Sequence, residues 1–155
     1  LGAVPVVNEN DTVSTSEINQ VESFGDNDQL AAIVGAVVHA DLVILLSDID
    51  GLFTDDPKKN PDAKFLPFIP EINEEILEMG KAESGSNVGT GGMSAKLAAA
   101  RIATDSGADM VIARFTSADV IQDILDGKNV GTLFAAHENK DFHLVQYLEN
   151  EENEA

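Results

Sequence analysis

The stretch GTGGMSAKLAAARIATDSGADMVIA, residues 89–113, contains a loop, a helix and a strand in succession. Its glycines lead into an alanine-rich segment that begins at Met93, which favours a helix that Gly107 can close at its C′ position. The run Met110-Val111-Ile112-Ala113 is typical of a short buried strand. A glycine-rich loop that opens a helix is a geometry that binds phosphate. The stretch therefore predicts an α/β fold with a phosphate site at the start of the helix.

Further helices and strands are predicted on both sides of this stretch. We expect a strand at Val4-Pro5-Val6-Val7, a helix that Asp26 or Asn27 caps and that ends near Ala40, a strand over Leu42–Leu46, a brief helix around Glu74–Met79, a helix over Val120–Leu125 ended by Gly127, and a strand over Gly131–Phe134. Such alternation places parallel strands in one sheet with helices on its faces. The proline-rich stretch between Pro57 and Pro70 is expected to be peripheral, with short extended pieces such as Phe65-Leu66.

Composition limits the possible partners. The 155 residues include 28 acidic and nine basic side chains, a formal charge of -19, and no cysteine. Such a charge repels phosphate backbones and anionic membrane surfaces, so neither nucleic acid nor a membrane is expected as a partner. The lack of cysteine excludes disulfides and thiolate sites and fits a reducing compartment, so we expect a cytoplasmic protein. Any site for an anionic substrate must gather its positive potential from few lysines, from magnesium and from backbone amides.

Lys96 is the most informative of these lysines. It follows Gly89-Thr90-Gly91-Gly92-Met93-Ser94-Ala95 and lies in the first turns of the predicted helix. The loop amides and the lysine can together hold a phosphate chain, although the P-loop pattern itself is absent. Taken alone, this segment is equally well explained as a surface loop before a helix.

Polar segments follow the predicted strands at the edge where α/β sheets bind ligands. Asn8-Glu9-Asn10-Asp11 follows the first strand and Ser47-Asp48 the second, and Gly25-Asp26-Asn27-Asp28 begins a helix. An acidic residue after the first strand is suited to binding an ammonium group. The segment Ser47-Asp48, after the second strand, is suited to binding adenine or ribose. Helix capping and a plain acidic turn are the alternatives. No metal site is predicted. Gly51 lies too close to Asp48 for a calcium loop, and the three histidines lack partners at ligand spacing.

Taken in order, these motifs resemble the glutamate 5-kinases of the amino acid kinase family. Val130-Gly131-Thr132-Leu133-Phe134 is also similar to the end of that kinase domain. The resemblance implies a three-layer αβα sandwich with a mainly parallel central sheet. It implies an ATP-dependent phosphotransferase that acts, with Mg²⁺, on the side-chain carboxylate of L-glutamate and gives glutamyl 5-phosphate, the first step of proline biosynthesis.

The resemblance also implies roles for particular residues. Asp11 and Asn27 would bind glutamate, Asp28 would organise the transfer centre, and Lys96 would stabilise the transferring phosphoryl group. ATP would be bound by Ser47, Asp48, Thr90, Gly91, Gly92, Met93, Ser94, Ala95 and Lys96.

The same resemblance sets the expected organisation of the chain. Residues 1–135 would be the C-terminal, nucleotide-binding part of a kinase domain, and residues 136–155 a polar acidic tail. The family's opening part, with its own phosphate loop, would lie upstream of Leu1, so we expect an incomplete sheet with an apolar edge. The protein is expected to be a homo-oligomer. A sister kinase for acetylglutamate or aspartate, and a non-catalytic amino-acid or nucleotide sensor, are the alternatives.

Overall fold

The structure, a computed structural model, describes residues 2–7, 27–83 and 92–147. These residues form an α/β fold, as the alternation of apolar segments predicts. Its elements are α1 (Asn27–Val37), β1 (Leu42–Ser47), β2 (Leu52–Phe53), β3 (Phe65–Leu66), β4 (Phe68–Ile69), α2 (Glu74–Glu83), α3 (Met93–Asp105), β5 (Asp109–Arg114), α4 (Asp119–Leu125) and β6 (Thr132–Phe134). Within the described ranges, no helix is both long and apolar enough to cross a membrane.

Among the described residues, the main sheet has four strands in the order β1-β5-β6-β4. β1 and β5 are parallel, with Leu42 opposite Asp109 and Ser47 opposite Arg114. β4 and β6 are also parallel, whereas β5 and β6 are antiparallel. The prediction of a mainly parallel sheet is confirmed, but the direction of β6 was not predicted. Because β1 and β5 are parallel and in register, both end at the same edge of the sheet.

The core lies between β5 and helix α3. Met110, Val111, Ile112 and Ala113 of β5 are each at most 4% exposed, as expected of a strand covered on both faces. α3 packs on β5 through fully buried leucine and alanine side chains, and it also packs against α1. The helix ends as the sequence predicts, because Gly107 adopts a φ of +94° just after the Ser106 cap.

The buried face of α1 differs from the predicted one. The sequence pattern predicts an apolar stripe through Leu30, Ile33, Val34, Val37 and Val38, but the buried residues of the helix are Ala32, Gly35 and Ala36. These small residues let α1 approach its neighbours closely, since a Cβ on Gly35 would lie 2.6 Å from Val43 Cγ2. Val37 and Val38 are more than 60% exposed.

The proline-rich stretch is not peripheral, which corrects the sequence interpretation. β4 lies within it and pairs with β6 in the main sheet, and Ile69 is only 4% exposed. The antiparallel pair β2–β3 also lies in or beside this stretch, and Leu52 is fully buried. Thr132 joins this part to β6, because its hydroxyl donates to the Leu66 carbonyl at 2.7 Å and accepts from the Leu52 amide at 2.8 Å.

The predicted first strand is wrong for the described residues. Residues 2–7 pair with no strand in the described part of the chain, and Val4 and Val6 are about nine-tenths exposed. A strand is stabilised by its neighbours, and apolar composition alone does not supply one. β1 lies at an edge of the main sheet, where Leu46 is 36% exposed.

The segment after β6 folds back onto the helices. Phe142, Leu144 and Tyr147 pack against the core, and the rings of Phe142 and Tyr147 lie 6.1 Å apart. The acidic residues 149–155 lie outside the described residues. The division at residue 135 therefore stays a prediction.

Candidate active site

Lys96 and Asp28 form a closely packed ion pair. Lys96 Nζ lies 2.8 Å from Asp28 Oδ2, and the two side chains are 8% and 18% exposed. Lys96 belongs to the first turn of α3, and Asp28 to the first turn of α1. The packing of α1 against α3 brings the two residues together. The structure thus joins the two residues for which the resemblance implies catalytic roles.

Lys96 also lines a cavity of about 250 Å³ at the edge of the sheet where β1 and β5 end. Asp48 follows β1 and faces this cavity, and Gly92 and Met93 contribute the opening of α3. The cavity therefore brings together four of the predicted nucleotide-binding residues. The described residues that line it are Asp48, Ile49, Asp50, Gly51, Phe53, Asp56, Pro57, Lys58, Gly92, Met93, Lys96 and Arg114.

The charges around this cavity differ from those of the chain as a whole. Lys58, Lys96 and Arg114 are three of the nine basic residues in a chain with a formal charge of -19. Three aspartates also line the cavity, so the formal charges of its described lining residues cancel. This part of the surface is therefore less negative than the chain as a whole, which favours a phosphate ligand here.

The start of α3 supplies a second favourable feature for an anion. Gly92 stands at the N-cap in an extended conformation, and no described side chain caps the helix. The first amides of a helix point along its axis without intrahelical acceptors, and the helix dipole favours negative charge there. The opening of α3 is therefore suited to a phosphate group.

Other predicted nucleotide-binding residues have different surroundings. The Ser94 hydroxyl donates to the Gly80 carbonyl at 3.2 Å, and Ser94 lines a separate cavity between α2 and α3. Ser47 donates to Asp48 Oδ1 at 3.2 Å. Ala95 is half-buried in the first turn of α3.

Asn27 is exposed at the first position of α1, next to Asp28, and does not line the cavity beside Lys96. Asp11, Thr90 and Gly91 lie outside the described residues. No group of three or more potential metal-ligating side chains occurs among residues 2–7, 27–83 and 92–147.

Arg114 and Asp50 form a second ion pair, which the sequence interpretation missed. Arg114 Nε lies 2.6 Å from Asp50 Oδ1, and a second hydrogen bond of 3.3 Å joins Nη2 to Oδ2. The hydrogen bond to Arg114 lowers the pKa of Asp50, and the same bond raises the pKa of Arg114. Arg114 ends β5, so the rule that ligands collect at the carboxyl ends of strands would have indicated it.

The family model described as "Amino acid kinase family" matches residues 1–114. This range includes both ion pairs and every described residue that lines the cavity beside Lys96. The chain belongs to the amino acid kinase family. Gly92, the start of α3 and Lys96 lie beside the ends of the parallel strands β1 and β5.

Several curated members of the family are similar to this chain over most of its length. A "Glutamate 5-kinase" of Clostridium perfringens is 49% identical over 135 residues, which is 87% of this chain and 50% of that protein. One of Carboxydothermus hydrogenoformans is 54% identical over 139 residues, 90% of this chain and 36% of that protein. The chain thus spans about half, or less, of the length of these relatives.

Two solved kinase structures have a similar fold. A uridylate kinase from Archaeoglobus fulgidus superposes with a TM-score of 0.52 at 20% identity, covering 72% of this chain and 48% of that one. An aspartate kinase from Synechocystis gives a TM-score of 0.52 at 21% identity, covering 79% of this chain and 17% of that one. These similarities confirm the predicted α/β architecture with a mainly parallel sheet.

Proposed function

We propose that the complete protein transfers the γ-phosphoryl group of ATP to the side-chain carboxylate of L-glutamate. The product would be glutamyl 5-phosphate, and the reaction would open proline biosynthesis. The observation that carries this proposal is the convergence of Lys96, Asp48, Gly92 and Met93 on one cavity, in a chain 49–54% identical to two proteins named glutamate 5-kinase.

ATP fits the residues around this cavity. Its phosphates need positive potential and amide donors, and the lining supplies three basic side chains and the opening of α3. Mg²⁺ is commonly held by substrate phosphates with one or two carboxylates. Asp48 lines the cavity and is a carboxylate that can take part. When bound, the Mg²⁺–ATP complex supplies the phosphoryl group, and its Mg²⁺ neutralises part of the negative charge of the phosphates.

Lys96 would stabilise the phosphoryl group during transfer. Such a reaction depends on in-line positioning and on cationic groups near the transferring oxygens. The ion pair with Asp28 fixes the position of Lys96 Nζ before substrates bind. Because Lys96 is only 7% exposed, its charge acts in a site from which much of the water is excluded.

Asp11 and Asn27 are our candidates for binding glutamate. Asn27 is adjacent to Asp28, so a substrate bound to the Asn27 amide would approach the Lys96–Asp28 pair. Asp11 can accept a hydrogen bond from an α-ammonium group. We further propose that the protein acts in the cytoplasm as a homo-oligomer.

The test is an assay of ADP release by the complete natural chain with Mg²⁺ and ATP. L-Glutamate, L-aspartate and acetylglutamate are compared as phosphoryl acceptors. We expect turnover with L-glutamate that exceeds turnover with the other two by at least tenfold. Preference for aspartate or acetylglutamate would assign the protein to a sister activity. ATP binding without turnover on any acceptor would instead indicate a sensor.

A further inference from the structure

The second ion pair occupies an unusual position between two cavities. Asp50, Phe53 and Arg114 line the cavity of about 250 Å³ that contains Lys96. The same three residues line a neighbouring cavity of about 410 Å³ next to β6. Arg114 therefore lies where the two cavities meet. A ligand that extends from Lys96 into the second cavity passes this side chain.

The backbone of Arg114 is firmly held. Arg114 is the last residue of β5 and lies opposite Ser47 of β1. The next amide, that of Phe115, donates to the Ser47 carbonyl at 2.8 Å and extends the ladder. The preceding residues, 110–113, are buried in the core. The guanidinium thus extends from a fixed backbone position. That position lies opposite Ser47 on the neighbouring strand, and Asp48 is the residue after Ser47.

The guanidinium keeps unused donors. A guanidinium has about five N–H groups, and Asp50 accepts from only two of its nitrogens, Nε and Nη2. Among the described residues, Asp50 is its only hydrogen-bonding partner, and the Arg114 side chain is 47% exposed. The remaining N–H groups are therefore open to a ligand in either cavity.

The pair contributes little to folding. Both side chains are about half-exposed, at 47% and 59%, and exposed ion pairs add little stability because water screens them. The bidentate geometry does fix the plane of the guanidinium. A planar, always charged guanidinium with free N–H groups is well matched to phosphate oxygens.

From these observations we propose that Arg114 binds a phosphate group of the nucleotide, with Asp50 fixing the orientation of its guanidinium. The proposal rests on the proposed function only in taking a nucleotide as the ligand of the cavity. It adds a residue that no motif of the sequence indicated. It also predicts that the contribution of Arg114 depends on the number of phosphates in the ligand.

The test is a titration of the complete natural chain with adenosine, AMP, ADP and ATP, for the wild type and for Arg114→Ala. We expect the affinity for ATP to fall about tenfold or more, the lower range for a lost charge-assisted hydrogen bond. The affinity for adenosine should stay unchanged. Arg114→Lys should restore part of the loss, because it keeps the charge without the planar fork.

Arg101→Ala is the matched control. Arg101 is also exposed and also pairs with an aspartate, Asp105, at 3.8 Å, but it lines the separate cavity between α2 and α3. Replacement of Arg101 should leave the affinities for adenosine, AMP, ADP and ATP unchanged. Unchanged ATP affinity in Arg114→Ala, or an equal loss for adenosine, would overturn the proposal.

The titration also separates this proposal from the proposed function, because it uses no glutamate. Wild-type protein that binds ATP but transfers nothing to glutamate would contradict the proposed activity, while the series would still decide the role of Arg114. Wild-type protein that binds none of the four ligands would overturn both proposals.

Discussion

Lys96 Nζ donates a hydrogen bond of 2.8 Å to Asp28 Oδ2 and so joins the starts of α3 and α1. The two residues are 68 positions apart in the sequence. Because Lys96 also lines the cavity with Asp48, both helix starts lie near the edge where β1 and β5 end. This arrangement places a buried ammonium group and two helix N-termini close to the cavity that we propose for ATP.

Replacement of Lys96 should slow phosphoryl transfer strongly. We expect Lys96→Ala and Lys96→Met to lower turnover roughly 10²- to 10³-fold, the scale for losing a preorganised electrostatic stabiliser. Lys96→Met keeps an apolar stem of similar length, so it separates the loss of charge from the loss of packing. Turnover at saturating ATP and glutamate is the measurement, with a thermal melt to verify folding.

Lys128→Ala serves as the control for Lys96. Lys128 forms an ion pair with Asp123 but is 60% exposed and lines neither cavity beside Arg114. The turnover of the Lys128→Ala variant should match that of the wild type. If both Lys96 variants also turn over like the wild type, Lys96 has no part in the mechanism.

Replacement of Asn27 should weaken glutamate binding more than ATP binding. We expect Asn27→Ala to raise KM for glutamate roughly tenfold, as a lost hydrogen bond to a charged group would. KM for ATP should change less than twofold. Initial rates measured while each substrate is varied in turn provide both values.

The control for Asn27 is Asn73→Ala, which tests whether helix capping alone accounts for the effect. Asn73 precedes α2, and its side-chain oxygen accepts from the Ile76 amide at 3.1 Å. Loss of this cap should cost about 1 kcal/mol of stability and leave both KM values unchanged. A comparable rise in KM for both substrates in Asn27→Ala would argue against its assignment to glutamate.

The buried hydroxyl of Thr132 should be important for stability. Thr132 is fully buried, and its hydroxyl bonds to both the Leu52 amide and the Leu66 carbonyl. Thr132→Val keeps the shape but leaves the buried Leu52 amide and the partly buried Leu66 carbonyl without this partner, so we expect a loss of about 2–4 kcal/mol. Thr132→Ser keeps the hydroxyl and should lose only about 1 kcal/mol for the methyl group. Urea unfolding measures the loss of stability in each variant. Equal losses in the two variants would contradict the role of the hydroxyl.

Two glycines with nearly the same positive φ should respond differently to replacement by alanine. Gly131 has a φ of +73° and Gly127 a φ of +74°. A Cβ on Gly127 would meet nothing within 4 Å, whereas one on Gly131 would clash with the Ile112 carbonyl oxygen and lie 2.7 Å from Ala113 Cβ.

Gly127→Ala should therefore lower the free energy of unfolding by only about 1–2 kcal/mol, the cost of holding an alanine in the left-handed conformation. Gly131→Ala should lose at least about 1–3 kcal/mol more, because the atoms that it meets belong to the core strand β5. Urea unfolding measures the difference between the two variants. Equal losses would show that the loop before β6 can move away from β5.

The sequence alone determined the elements whose signal is local. The apolar run of β5 and the alanine-rich α3 were predicted close to their observed bounds, and Gly107 and Gly127 follow helices as predicted. Apolar periodicity and glycine conformation depend on neighbouring residues, so a single sequence is enough to recognise them. The ordered motifs also indicated the family.

Only the tertiary structure decided the partners of these elements. Residues 2–7 have the composition of a strand but no neighbouring strand within the described part of the chain, whereas Phe68 and Ile69 form one because β6 lies beside them. The ion pairs Lys96–Asp28 and Arg114–Asp50 join residues 68 and 64 positions apart. Strand pairing and ion pairing depend on distances in space, which the packing of α1 on α3 and of β1 on β5 sets.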